Sequence, residues 1–202
     1  MPDALTVYFD FTCGYSYRAM HWLALIPDLT VEWRTFSLKE VNREPGESWL
    51  EATSPPSVSV FAQALAHAAR AGDYDRYHHA VFEAMHGEHL RLSEEGFLEI
   101  AADAGADVDA FNQDRGAWVA RVGAEHYDAV ERLGAFGTPT VVLDGAAAYL
   151  RLAEVPPSEA DARTIVGGLR SLASSTANLV EVFRPEGPHP TPIALSPPSD
   201  SR

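Results

Sequence analysis

The pattern of the 202-residue sequence predicts an α/β protein in which one sheet is interrupted by an all-helical insertion. A β-α-β alternation fills the first 38 residues, a helix-patterned block of roughly eighty residues follows, and an Asp-Gly hairpin signal with one more helix closes the pattern. Because the order is β-α-β, helices, β-β-α, the block interrupts one sheet and does not add a second. The length agrees, since about 150 residues per domain suits one domain with a large insertion better than two equal halves.

Residues 4–11, Ala-Leu-Thr-Val-Tyr-Phe-Asp-Phe, are short and dense in β-formers, which reads as a buried strand ending at Asp10 or Phe11. Ala19, Trp22, Leu23 and Ile26 then recur at helical spacing up to Pro27, predicting a helix from near Cys13 to near Leu25. Thr30 to Leu38 reads as a second strand, and the three elements together suit a parallel crossover unit. Glu40 to Pro56, rich in Asn, Pro, Gly and Ser, is expected to be a loop.

Ser57, Asp73, Ser93 and Asp107 stand where helix N-caps belong. The faces they open are Val58, Phe61, Leu65 and Ala68; Tyr74, Tyr77, Val81, Phe82 and Met85; and Phe97, Ile100, Ala101 and Ala104, closed by Gly105, with a short helix after Asp107. A fifth helix over 116–133 puts Val119, Val122, His126, Ala129, Val130 and Leu133 on one side and stops at Gly134. Val141 to Leu143 and Ala146 to Leu152 flank Asp144-Gly145 as a hairpin, and Ser158 caps a last helix to about Leu172. Six prolines between Arg184 and Arg202 cannot sustain helix or sheet, so a mobile tail is expected. The organisation expected is 1–56 and 135–173 as two parts of one α/β domain, 57–134 as the insertion, and 174–202 as a terminal segment.

Composition removes several function classes. The 15 Lys+Arg against 29 Asp+Glu give a net charge of −14, which argues against nucleic acid, whose affinity comes largely from counterion release by cationic side chains. All but one of the basic residues are arginine, Lys39 being the exception, a bias that a GC-rich genome produces. Charged residues interrupt every apolar run, so no membrane span is expected. The amino terminus has neither the basic stretch nor the apolar core of a signal peptide, which leads to a cytoplasmic expectation. One cysteine excludes an internal disulfide and any multi-cysteine zinc or iron–sulfur site, so redox chemistry must involve a second molecule.

That cysteine, Cys13, falls where a buried strand hands over to a helix. Unpaired amide N–H groups and the positive end of the helix dipole there favour an anionic sulfur, the condition for a nucleophile. Ser16, three residues on, faces the same side of the first turn, where its hydroxyl can donate to the sulfur. The competing reading is a small buried apolar residue, and position alone leaves both open. Gly137-Thr138-Pro139 is the second candidate, because a proline opening a strand supplies no N–H; an ordinary trans turn is its alternative.

Taken together, Phe-Asp-Phe-Thr-Cys13-Gly-Tyr-Ser16-Tyr after a strand, a helical insertion, and Phe-Gly-Thr138-Pro139-Thr-Val-Val resemble the DsbA-like branch of the thioredoxin superfamily. The resemblance covers residues 5–172, including Phe-Ser37-Leu-Lys-Glu-Val-Asn42 and the stretch Val81 to Phe111. It implies a thioredoxin-like fold with an inserted helical domain, Cys13 as the attacking thiol, Pro139 as the cis-proline beside it, and Thr138 presenting its backbone to a peptide or thiol. The usual Cys-x-x-Cys of that family is here Cys13-x-x-Ser16. A mixed disulfide at Cys13 then needs an external thiol for release, which implies a monothiol oxidoreductase with glutathione or mycothiol as cosubstrate and no tightly bound cofactor or metal. Its partner would be a small thiol or disulfide, or a peptide or protein disulfide.

The sequence also resembles kappa-class glutathione transferases and 2-hydroxychromene-2-carboxylate isomerases, although residues 151–161 do not match the Gly-Ser-Asp segment that holds the γ-glutamyl end of glutathione there. A third reading is a binding protein whose acidic, aromatic cleft holds a metabolite or peptide, with Cys13 incidental. Tyr15 is expected to be exposed and to contact substrate, and Trp22 to belong to the core. The resemblance places the insertion over the cysteine, so His86 and His89 are candidates to line the cleft. His78, His79, His86 and His89 lack a metal-ligand spacing and are expected at the surface or the cleft, whereas His126 is expected inside. Lys39 and Asn42, after the second strand, are candidates to reach an anionic or peptide-like partner. Asp10 either caps the turn or relays a proton, capping being the preferred role.

Overall fold

The computed structural model describes residues 4–50 and 56–175. The expected Pro-rich tail lies outside the described residues.

Four strands form one mixed sheet in the order β2-β1-β3-β4. β1 (Ala4–Phe9) runs parallel to β2 (Thr30–Thr35) and antiparallel to β3 (Thr140–Leu143), which pairs antiparallel with β4 (Ala146–Tyr149). Between β1 and β2 runs α1 (Gly14–Ala24), the crossover that a parallel pair requires. The β3–β4 turn places Asp144 (φ 49°) and Gly145 (φ 85°) both in the left-handed region, the conformation that an Asp-Gly hairpin turn demands. β4 stops at Tyr149, three residues short of the expected Leu152.

The insertion comprises α3 (Val58–Ala69), α4 (Tyr74–Phe82), α5 (Glu94–Asp103), α6 (Val108–Gln113) and α7 (Arg115–Leu133). Ser57, Asp73, Ser93 and Asp107 each accept a backbone N–H three residues on, as their cap positions foretold, and Asp114 caps α7 in the same way. Gly134 closes α7 at φ 65°, where a Cβ is costly. α8 (Glu159–Ser175) follows the hairpin, with Ser158 accepting from the Asp161 N–H.

Two segments differ from the sequence expectation. The second strand ends at Thr35, and Leu38–Val41 form a short helix, α2, capped by Ser37 Oγ on the Glu40 N–H. Downstream, α4 passes into a single π-helical turn over Glu83–Gly87, a wider turn that periodicity does not signal.

Burial follows the strand alternation. Leu5, Val7, Phe9 and Phe11 lie in a core that is continuous with Trp22 of α1, Val166 of α8 and Val60, Phe61, Tyr77 and Phe82 of the insertion. Tyr8 faces the other side, against Phe36, Ala129 and Ala135. The insertion is therefore packed into the sheet's own core. Fully burying a large side chain contributes about 1.5–3 kcal/mol, so the many aromatics here make the two parts one stability unit.

Asp10 ties that unit together. Its carboxylate is fully buried; Oδ1 accepts from Thr12 N–H (2.8 Å), Thr12 Oγ1 (2.7 Å) and Ser59 Oγ (2.6 Å), and Oδ2 from Leu38 N–H (2.8 Å). The donors come from the turn after β1, from the start of α2 and from the first turn of α3, which makes capping the role of Asp10. Asp10→Ala leaves these donors without an acceptor in a dry site. It is expected to lower unfolding free energy by about 3–5 kcal/mol, as removal of one partner from a buried charged network does, measured by urea titration. A loss below about 0.5 kcal/mol, the range of surface substitutions, would refute the role.

Three histidines are held in the interior as neutral imidazoles. His78 is packed among Phe9, Trp33, Phe82 and Tyr74, and burial pushes its pKa down to about 3, correcting the surface placement expected for it. Burial takes His67 down to about 3, with Arg70 and Arg121 adding to the effect, and His126 down to about 4. His126 Nδ1 accepts the Ser37 N–H at 3.2 Å, a bond that protonation destroys. Since the unfolded chain takes up these protons near pH 6.5 and the folded chain does not, their stabilisation is complete above about pH 6.5 and is lost as the pH falls toward 4. Thermal melts from pH 7 to pH 4.5 should show a falling Tm, and His78→Phe should flatten that slope; an unchanged slope in the variant counts against the assignment.

Candidate active site

The end of β1 and the start of β3 meet at Cys13. The turn after β1 is fixed by Asp10, and the Cys13 N–H donates to the Asp10 carbonyl at 3.0 Å. Cys13 occupies the N-cap position of α1 with an extended backbone, and its side chain does not cap the helix. The thiol, 8% exposed, instead donates to the Thr138 carbonyl at 3.3 Å. The Thr138–Pro139 peptide bond is cis.

This juxtaposition follows from register. Tyr8 of β1 faces Thr140 of β3, so the residues leaving β1 lie beside those entering β3. Thr140 in turn faces Tyr149 of β4, and beyond the last pair the Leu150 N–H donates to the Pro139 carbonyl at 3.0 Å.

Two hydroxyls at the site are buried without partners. Ser16 Oγ and Thr138 Oγ1 have no hydrogen bond among the described residues, although both residues are essentially inaccessible. A buried hydroxyl left unpaired costs about 1–3 kcal/mol, and such orphans are found where a ligand or a charge is to be met. Ser16 does not hydrogen-bond the sulfur while the thiol donates to Thr138.

Around the sulfur lies a rim of which the sequence singled out Tyr15 alone. Tyr15 is half-buried, not exposed as expected, because the Arg151 guanidinium stands 5.5 Å over its ring and 5.6 Å over that of Tyr149. Phe136, 65% exposed, packs against Tyr149 with ring centroids 4.9 Å apart. Gly137 permits this approach, since a Cβ there would sit 3.1 Å from the Tyr149 ring. Burial raises the Tyr149 pKa, and the Cys13 and Tyr15 charges add to the rise while Arg151 opposes it. The hairpin centred on Asp144-Gly145 was the signal available in the sequence, because counting outward from it pairs Tyr149 with Thr140.

The other candidates are dispersed. His86, half-buried on the π-helical turn, has Nε2 2.7 Å from the Phe11 carbonyl and therefore donates from that nitrogen, and its ring stacks on Tyr17 at 5.3 Å. Burial lowers its pKa. His86 thus braces the backbone two residues before Cys13. His89 is exposed at φ 56°, one turn further out. Lys39 is exposed with Nζ 4.5 Å from the Trp49 ring centroid, and Asn42 Nδ2 closes α2 on the Leu38 carbonyl at 2.8 Å; both are engaged at α2, not at the sulfur. Among the described residues no group of three or more His, Cys, Asp or Glu side chains is arranged to hold a metal, and no helix is long and apolar enough to cross a membrane.

Comparison with known proteins agrees with this fold. The profile of a family described as a DSBA-like thioredoxin domain matches residues 4–159. Among solved structures, a probable DsbA oxidoreductase from Streptomyces coelicolor is 18% identical with a TM-score of 0.61, over 91% of this chain and 97% of that one. The cytosolic disulfide reductase DsbM from Pseudomonas aeruginosa with GSH is 20% identical with a TM-score of 0.58, over 82% and 98%. A 2-hydroxychromene-2-carboxylate isomerase is 19% identical with a TM-score of 0.59, over 88% and 100%. At these identities the structures establish the thioredoxin-like fold with its helical insertion. No curated protein sequence matches the chain.

Proposed function

The chain belongs to the DSBA-like thioredoxin family, and from that premise we propose that it is a monothiol thiol-disulfide oxidoreductase with Cys13 as nucleophile. The observation that carries this reading is the Cys13 sulfur at the start of α1, against the Thr138 carbonyl and beside cis-Pro139, with a serine in place of a second cysteine.

The Cys13 thiolate attacks one sulfur of a disulfide R–S–S–R, forming Cys13–S–S–R as the S–S bond of the substrate breaks and RS⁻ departs. Cys13 is oxidised and the departing half is reduced. On ionisation the sulfur no longer donates to Thr138, and the buried Ser16 hydroxyl supplies the replacement hydrogen bond. A second thiolate, from a small cellular thiol, then attacks the R-side sulfur and returns Cys13 to the thiolate. Thr138 and Pro139 hold the partner in an extended pose along the sheet edge. The partners are small thiols and disulfides, with no tightly bound cofactor and no nucleic acid. The cytosolic description of the DsbM neighbour supports a cytoplasmic location.

Intact mass after incubation with glutathione disulfide or mycothiol disulfide should show one added thiol, removed by the reduced thiol and absent from Cys13→Ser. Absence of any adduct on the native chain overturns the reading, and full activity of Cys13→Ser would favour a transferase or isomerase that needs only a hydroxyl.

Ser16→Cys restores a second sulfur three residues on. Its mixed disulfide should release the bound thiol without added reductant, leaving a product two hydrogens lighter than the reduced variant. Persistence of the adduct would show that position 16 cannot reach the sulfur.

A further inference from the structure

Several arginines of this acidic chain answer carboxylates: Arg34 pairs with Glu32, Arg70 with Glu125, Arg115 with Glu94, Arg132 with Asp128 and Arg163 with Glu159. Arg151 has, among the described residues, no carboxylate partner; its guanidinium lies between the faces of Tyr15 and Tyr149. Tyr15 is two residues from Cys13, and Tyr149 faces Thr140 at the end of the loop whose Thr138 carbonyl accepts the thiol.

The backbone on both sides of Arg151 is pinned. The Leu150 N–H donates to the Pro139 carbonyl at 3.0 Å. On the other side Arg18 of α1 donates through Nη1 to the Leu152 carbonyl at 2.9 Å and also to the Ala153 carbonyl. A pinned backbone and two aromatic faces pre-organise the guanidinium, which lowers the entropy lost when it binds. Its fork of N–H donors matches a carboxylate, and Arg151 stays exposed over Tyr15, two residues from the nucleophile.

From this arrangement we propose that Arg151 binds a carboxylate of the small thiol exchanged at Cys13, and so sets a preference for carboxylate-bearing thiols of the glutathione type over neutral or cationic ones. The inference rests on the thiol-disulfide reading and names the substrate class of that site. Cys13–S⁻ attacks glutathione disulfide, the Sγ–S bond forms, the S–S bond breaks, and one glutathione thiolate leaves while the retained half keeps its carboxylate on Arg151.

The test is the second-order rate constant for adduct formation at Cys13, followed by intact mass with glutathione disulfide (anionic), bis(2-hydroxyethyl) disulfide (neutral) and cystamine (cationic). In Arg151→Gln the ratio of the glutathione disulfide constant to the neutral one should fall about fivefold or more, the loss expected of an exposed charge-assisted hydrogen bond, and cystamine should gain relative to both. Arg151→Lys should restore part of the ratio. Salt from 20 mM to 500 mM should reduce the native preference and leave that of Arg151→Gln nearly unchanged, because screening acts on the charge pair. A ratio that Arg151→Gln leaves unchanged overturns the proposal while the thiol-disulfide reading stands. Failure of the native chain to form an adduct with any of the three overturns both.

Discussion

A buried carboxylate sets the geometry on which the site depends. Asp10 terminates the central strand, and its two oxygens collect donors from the active-site turn, from the start of α2 and from the first turn of α3. Burying a charge with no partner costs far more than a domain's net stability allows, so such a group is tolerated only when its lone pairs are filled. Filling them draws three distant segments to one point. The turn that presents Cys13 is consequently held by the same group that anchors the insertion, through Ser59, to the sheet.

The rest of the site is measured out along the sheet. β1, β3 and β4 are consecutive neighbours in antiparallel register, so the ends of β1 and β4 and the beginning of β3 share one edge. That edge carries Cys13, then Thr138 and Pro139, then Leu150 and Arg151 in spatial order. Glu40 fixes the adjoining loop in a comparable manner: fully buried, it accepts from Trp49 N–H at 2.7 Å and Tyr127 Oη at 2.9 Å, and it pairs with Arg43 at 3.2 Å. The loop from 42 to 50 thus has an internal framework although it contains little regular structure.

What the sequence disclosed and what it concealed divide along a physical line. Caps, helical periodicity and the Asp-Gly turn are local, and Ser57, Asp73, Ser93, Asp107, Ser158 and Gly134 all occupy the places their chemistry demands. Features that depend on distant partners were not legible. Leu38–Val41 has no helical pattern of its own and follows a β-rich stretch; its helix is held by Asp10 and His126. His78 looks like one member of a polar cluster in the sequence, yet its ring fills the space between Phe9 and Trp33. Cys13 and Pro139 could be picked out because each is unusual for its position, whereas Arg151 is an ordinary arginine until the fold sets it between two tyrosines.

The absence of a second cysteine has a consequence for the shape of the site. In a monothiol cycle the adduct at Cys13 must wait for an external thiol, so the departing and incoming molecules use the same opening. That requirement is hard to reconcile with a deep enclosed pocket and easy to reconcile with a nearly covered sulfur under an exposed aromatic rim. Phe136 and Tyr149, both exposed above the cis-proline loop, give such an opening apolar walls without closing it. A single cation on that rim then has more influence than it would elsewhere, because the chain's net charge of −14 repels small anionic thiols from most of its surface. In such a cycle, selectivity between thiols of similar sulfur chemistry is expected to reside at the rim, while the sulfur and its hydroxyl neighbour would decide only whether exchange occurs.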